Sequence, residues 1–256
     1  MHKEINMGLT RRDYSIFNRF DFAYKPVGIK YLLNKPAGIE QLNKSIPICQ
    51  MFKEAQESHP FYAAGDNFSC VDRLLLGIVD PEPTLESGQI GSKEKIYQEA
   101  RANSRIYQYV PKFNKGTVRY VAFSPVDKLP FDPDVLIITA RPDQAEIVLR
   151  TLSYSTGKPL TTKITPVLMC AWIFVYPYMS GELNYTITGL GYGMRIKKLL
   201  PEGLVLISVP YDLIPTLLDN LQEMDWVLPI TVLSEEERKK YSAKIMEEIR
   251  QEYLNG

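Results

Sequence analysis

Apolar positions follow a helical spacing in the first half of the chain and a strand spacing in much of the second. Tyr14, Ile16, Phe17 and Phe20 share one side of a helix predicted over residues 11–20, and Val27 to Leu33 reads as a strand. Lys25-Pro26-Val27-Gly28-Ile29 is echoed by Lys35-Pro36-Ala37-Gly38-Ile39, an interval too short for a repeat architecture and suited to a strand–turn pair. A helix is expected over residues 46–58, with Ser45 as cap, Pro47 in the first turn, and Ile48, Met51, Phe52 and Ala55 on one face. Val71 to Ile78 forms another, after the possible caps Asn67 and Ser69. Residues 81–91 read as an exposed loop and 92–105 as a polar surface helix.

From Val118 the pattern changes. Val118 to Val126 and Val135 to Thr139 read as strands, the second running into a helix opened by Pro142 and Asp143. The same order returns when Leu204 to Ser208 is followed by Pro210, Tyr211 and Asp212, then by a helix through Leu213, Leu217, Leu218 and Leu221. Thr161 to Met169 and Tyr185 to Thr188 are further strand candidates. This grammar predicts an α/β or α+β fold, a mixed sheet covered by helices. It reads as one globular domain over residues 1–256 with a soft subdivision near residue 115. Ser234 and Glu237 form a capping box for a C-terminal amphipathic helix over 234–256, whose stripe of Tyr241, Ile245 and Ile249 suits packing on the body or on a partner.

Composition narrows the partners. With 45% hydrophobic and 23% charged residues the chain is an ordinary globular protein, and its formal net charge of zero gives no field to attract nucleic acid or an acidic membrane. The N-terminal segment is charged and has no export-signal run. The apolar stretch from Val167 to Met179, interrupted by Pro177, is shorter than the roughly 20 residues of a membrane span. Three cysteines cannot all pair within one chain, and their C-x20-C-x99-C spacing matches neither a ferredoxin nor a zinc finger. A reducing cytoplasm is the expected setting.

Cys70 stands where a helix is expected to begin, and there the free N–H groups favour a thiolate and lower the thiol pKa. Cys170 shares that situation before Ala171-Trp172-Ile173-Phe174, whereas Cys49 lies within its helix. Each alone is most simply a buried structural cysteine. Together Cys49, Cys70 and Cys170 could bind a metal ion or anchor an iron–sulfur cluster with one position open. A second constellation is Gly189, Gly191 and Gly193 followed by Arg195, Lys197 and Lys198. The glycines allow close backbone approach to an anionic ligand, which Arg195 could grip in a planar fork. It matches neither the dinucleotide fingerprint nor a P-loop, and a turning loop after a strand is the plain alternative. Acid–base candidates are few: His2 is terminal, and His59 precedes Pro60 at a helix end where a capping role is expected. Asp66, Asp72 and Arg73 flank Cys70 and could tune it, with surface salt bridging the expected use of such charges. Tyr62, Tyr176, Tyr178 and Tyr192 are candidates for an aromatic pocket, with core packing as the alternative.

The order of short blocks resembles a known family. Pro26-Val27-Gly28-Ile29-Lys30, Cys49, Phe61-Tyr62, Cys70 with Leu75-Leu76-Gly77, Phe123-Ser124-Pro125, Pro133-Asp134-Val135, Pro142-Asp143-Gln144, Cys170-Ala171 and Gly193-Met194-Arg195 follow one another over about residues 20–225. In that order they resemble the uncharacterised family called domain of unknown function 169, found largely in archaea and anaerobic bacteria. The resemblance implies a shared fold and draws attention to the cysteines and the Gly-Met-Arg segment, but it carries no activity. It also implies a further cysteine, in relatives, at the place held here by Gly191. Three functions remain open, beside a purely structural or interaction role that uses the terminal helix. One is a cytoplasmic protein with a metal ion or iron–sulfur cluster on Cys49, Cys70 and Cys170, serving a redox or accessory role with a redox partner protein. The others are a non-catalytic module for a small anionic ligand and a thiol enzyme using Cys70 as nucleophile. A homo-oligomer suits any of them.

Overall fold

The computed structural model describes residues 5–6 and 12–255. They fall into two compact units, one ending at Gln222 and the other starting at Glu223. In chain order the strands are β1 (Ile5–Asn6), β2 (Val27–Leu32), β3 (Pro36–Ala37), β4 (Glu40–Gln41), β5 (Phe61–Ala64), β6 (Tyr120–Pro125), β7 (Val135–Ala140), β8 (Asn184–Ile187) and β9 (Val205–Pro210). β1 and β3 form a small parallel pair, and the other seven make one sheet in the order β4-β5-β6-β2-β7-β9-β8. β4 and β5 run parallel, and every other neighbouring pair is antiparallel. The fold is therefore α+β around a mixed sheet.

The sheet crosses residue 115. β2, from the first half, lies between β6 and β7 of the second half, with Val27 opposite both Pro125 and Ile137. The two strand–turn–helix units also meet, because β7 and β9 are antiparallel neighbours from Val135↔Pro210 to Ala140↔Val205.

All six residues of β7 are buried, which explains why it reads as a continuous apolar run. Val135 and Ile137 join the main core cluster with Val27, Ile29, Met51 and Phe52. Leu136 and Ile138 alternate with them toward the opposite face. The helix Ile48–Glu57 packs on β6 and β2, and its Gln56 Nε2 donates a buried hydrogen bond of 3.0 Å to Thr139 Oγ1. The helix Pro142–Tyr154 packs on β7 and β9. A third, Ile214–Glu223, buries Leu217, Leu218 and Leu221.

Several expected elements take another form. Arg11 lies outside the described residues, and the predicted helix around it is a short 3-10 helix, Ser15–Arg19. The expected loop at 81–91 contains the short helices Pro83–Glu86 and Gln89–Lys93. The single helix expected over 92–105 is instead broken at Lys95, whose φ is 58°, and restarts as Ala100–Tyr109. Tertiary packing imposes the break. Asn103 Nδ2 donates to Gly88 O at 3.1 Å, and a Cβ on Gly91 would stand 2.7 Å from Asn103 Cγ, so the two pieces must fold against each other. Residues 161–169 are not a strand. The side chain of Asn184 in β8 takes their backbone instead, accepting from Lys163 N at 2.9 Å and donating to Lys163 O at 2.8 Å. The apolar stretch that follows forms a wide-turn π-helix, Ala171–Val175, continuing as the helix Tyr176–Ser180 up to Gly181.

In the second unit the helix Glu235–Asn255 starts with the expected box: Ser234 Oγ accepts from Glu237 N at 3.3 Å, and Glu237 Oε2 accepts from Ser234 N at 2.8 Å. No helix among the described residues is long and apolar enough to cross a membrane.

Candidate functional site

Cys49 is in the first turn of the helix Ile48–Glu57, Cys70 precedes the short helix Asp72–Leu75, and Cys170 directly precedes the π-helix. A helix start leaves backbone N–H groups without partners. Here one side chain serves two of these starts. Asp72 Oδ2 accepts from Ile48 N at 2.6 Å, and its Oδ1 accepts from Cys70 N at 3.0 Å and Arg73 N at 2.9 Å. Asp72 thus takes the capping role expected of Ser45, and at 1% exposure it is no surface salt bridge. Its carboxylate fastens the Cys49 segment to the Cys70 segment.

The three cysteines converge on one cavity of about 150 Å³, whose walls also include Met169, Gly191, Gly193 and Lys197. All three are free thiols: Cys49 is buried, Cys170 half-buried and Cys70 exposed. Among the described residues no set of three His, Cys, Asp or Glu side chains stands ready to hold a metal ion. Convergence on a cavity and assembly of an ion-sized ligand cage are separate properties, and the structure has the first.

Electrostatics keep these thiols protonated. Burial, followed by the charges of Cys70 and Asp72, pushes Cys49 up to about 12. Burial raises Cys170 well above the ordinary thiol range, with Cys49, Asp72 and Cys70 adding to it. Cys70 is also raised, by burial and then by Asp72. The N–H groups of Val71 and Asp72 and the charge of Lys197 pull the other way without prevailing. The thiolate-favouring effect of a helix start is therefore present at Cys70 but outweighed, so the depressed pKa expected there is not found. Burial likewise raises Asp72, against the three N–H groups that favour its ionised form.

The glycine segment divides. Gly191 and Gly193 line the cysteine cavity, whereas Gly189 and Arg195 do not. Arg195 Nε bonds Glu202 Oε1 at 2.8 Å on the surface. None of the three glycines has a positive φ, so freedom of backbone angle does not explain them. Gly191 leaves room for the end of a flexible side chain: a Cβ there would lie 2.2 Å from Met169 Cε and 2.5 Å from Met169 Sδ, so the thioether would have to turn aside. The thioether of Met169 occupies the place a side chain at 191 would take.

Other candidates fall elsewhere. His59 is exposed, with Nδ1 3.3 Å from Lys128 Nζ, and His2 lies outside the described residues. The tyrosines do not form one pocket: Tyr62 is buried and donates to Gln41, Tyr178 packs edge-on against Tyr31 and Phe113, and Tyr192 alone among the four lines the cysteine cavity. Sequence reasoning missed the capping role of Asp72 and the parts played by Met169 and Lys197. Lys197 offered only its place after the glycines as a signal, and Met169 only its place beside Cys170.

The family described as uncharacterised ArCR, domain of unknown function 169 (DUF169), matches residues 16–220. The chain belongs to the DUF169 family. No curated protein and no solved structure was matched. All three cysteines and the cavity-lining glycines lie inside the part that DUF169 spans. The position at which the DUF169 resemblance implied another cysteine, Gly191, lies on the same cavity as the three that are present.

Proposed function

We propose that this DUF169 protein holds an iron–sulfur cluster or a thiolate-bound metal in the cavity of Cys49, Cys70 and Cys170, in a reducing cytoplasm and in a redox or accessory role. The observation that carries this reading is the convergence of three free thiols, far apart in sequence, on one cavity. Their chemistry fits: thiolates are soft donors suited to iron–sulfur clusters and zinc. Binding must displace the protons that the raised pKa values hold on these thiols, and the charge of the metal is what would offset that cost.

A cluster is favoured over a single ion. One ion with bonds of about 2.3 Å needs all its sulfurs close together, and no such set stands ready among the described residues. A cluster takes its ligands on separate irons and tolerates a wider spread. The anionic-ligand alternative is left with only two of its glycines on the cavity and with Arg195 engaged by Glu202. The thiol-enzyme alternative needs an activated Cys70, whose pKa is instead raised.

Anaerobic reconstitution with iron and sulfide tests the proposal. The wild-type protein is expected to retain both and to show sulfide-to-iron charge-transfer absorption, with both signals lost in the Cys49→Ser/Cys70→Ser/Cys170→Ser variant. No retention by the wild type, or equal retention by the variant, overturns it.

A further inference from the structure

Cys70 and Val71 belong to two cavities at once. Besides the cysteine cavity they line a second, of about 570 Å³, which also takes in Arg73 and Leu74 of the short helix Asp72–Leu75. Its size falls within the range of about 300–1,000 Å³ typical of small-molecule sites. The turn that closes it is fastened by the carbonyl of Arg73, which accepts from Ile78 N at 2.8 Å and Val79 N at 3.3 Å. Leu74, Val79, Pro81, Pro83 and Leu85 give it an apolar wall.

The charged groups on this wall are not equivalent. Asp80 is neutralised by Lys115, whose Nζ lies 2.5 Å from Asp80 Oδ2. Glu82 is exposed at the beginning of the Pro83–Glu86 helix. The guanidinium of Arg73 has no ion pair or side-chain hydrogen bond among the described residues. Its one charged neighbour on its own element, Asp72, is buried and gives both oxygens to backbone N–H groups. Arg73 is exposed and its charge favours the ionised form of Asp72, but its forked N–H groups are free of side-chain hydrogen bonds and match the two oxygens of a carboxylate.

We propose that this second cavity binds a small organic acid, its carboxylate on Arg73 and its apolar body along Leu74 and Leu85, against the thiol of Cys70. The site stands on its own geometry and does not depend on a metal in the neighbouring cavity. It places a small molecule against Cys70 and Val71, the two residues that the cavities share.

The test is protection of Cys70 from iodoacetamide in the metal-free full-length protein, read by peptide mass spectrometry with hexanoate as probe and hexanol and hexylamine as controls. Hexanoate is expected to slow Cys70 alkylation saturably, and hexanol to need about tenfold more for the same effect, the cost of losing a charged hydrogen-bonded partner. Arg73→Gln should remove the difference between hexanoate and hexanol while keeping the wild-type melting temperature and unprotected alkylation rate. A second variant, Leu74→Ala, should weaken both probes alike. The proposal is overturned if hexanoate gives no protection, if its protection survives Arg73→Gln unchanged, or if hexylamine protects better, which would make Glu82 the governing charge. Failure here leaves the iron and sulfide result untouched, and failure of reconstitution leaves this one untouched.

Discussion

Asp72 is the residue on which the site depends most directly, because one carboxylate accepts from three backbone N–H groups in two separate segments. Asp72→Ala leaves those donors unpaired and is expected to cost about 3 kcal/mol in urea denaturation, the scale for buried donors without acceptors. Its charge also raises all three thiol pKa values. Asp72→Asn should therefore move the pH midpoint of Cys70 alkylation downward, and an unchanged midpoint would show that burial alone sets it. Gly191 makes a different prediction. Gly191→Ala turns the flexible Met169 thioether aside, which is expected to cost no more than about 1 kcal/mol in urea denaturation, and the cost should vanish in a Met169→Ala background. Neither role was readable from the chain. The local pattern marked Cys70 and Gly191 as worth attention, but the acceptor for Ile48 N and the atom that fills the space at 191 come from segments with which they share no periodicity.

Among the elements, β8 and the segment before it show how a side chain can replace a strand partner. Asn184, fully buried, accepts from Thr162 Oγ1 at 3.0 Å and from Lys163 N, and it donates to Lys163 O and to Trp172 O at 3.0 Å. It thereby ties residues 162–163 and the π-helix behind Cys170 to the sheet. Asn184→Ala is expected to destabilise the protein by about 3 kcal/mol, and hydrogen exchange should speed up at Lys163 more than in β7. Alternation in residues 161–169 was a fair strand signal. The competing hydrogen bonds come from an amide some twenty residues away, and no local pattern reports that. The elements that were legible are those with strong periodicity and local caps: β2, β7, β9, the helix after Pro142, and the Ser234 box. In the 81–109 region, by contrast, the packing of Gly91 on Asn103 overrides local propensity and makes several short helices where one was expected.

At the scale of the whole molecule the pH behaviour of the cysteines gives a signed prediction. Cys49 moves from an ordinary 9.0 to about 12 on folding, so between those values the folded state holds a proton that the unfolded chain releases. Stability must fall as pH rises through that window. The metal-free protein should show a declining melting temperature there, with a shallower slope in Cys49→Ser. If the proposed cysteine site takes up metal, the same linkage requires it to release thiol protons, so apparent affinity should rise with pH below the thiol pKa values, and proton release on binding can be read in weakly buffered solution. An affinity independent of pH would exclude thiolate ligation.

By itself the sequence determined the type and rough extent of the strongly patterned elements, the mixed α and β character, the family blocks, and the three cysteines with helices starting near two of them. Those properties depend on neighbours a few residues apart. Tertiary structure alone decided that Cys49, Cys70 and Cys170 face one cavity, that Asp72 joins two of their segments, and that Arg195 turns to Glu202. It also set β2 between β6 and β7. The physical reason is the same in each case: contacts between distant segments are chosen by burial and hydrogen-bond satisfaction across the whole fold, and spacing along the chain carries no record of them.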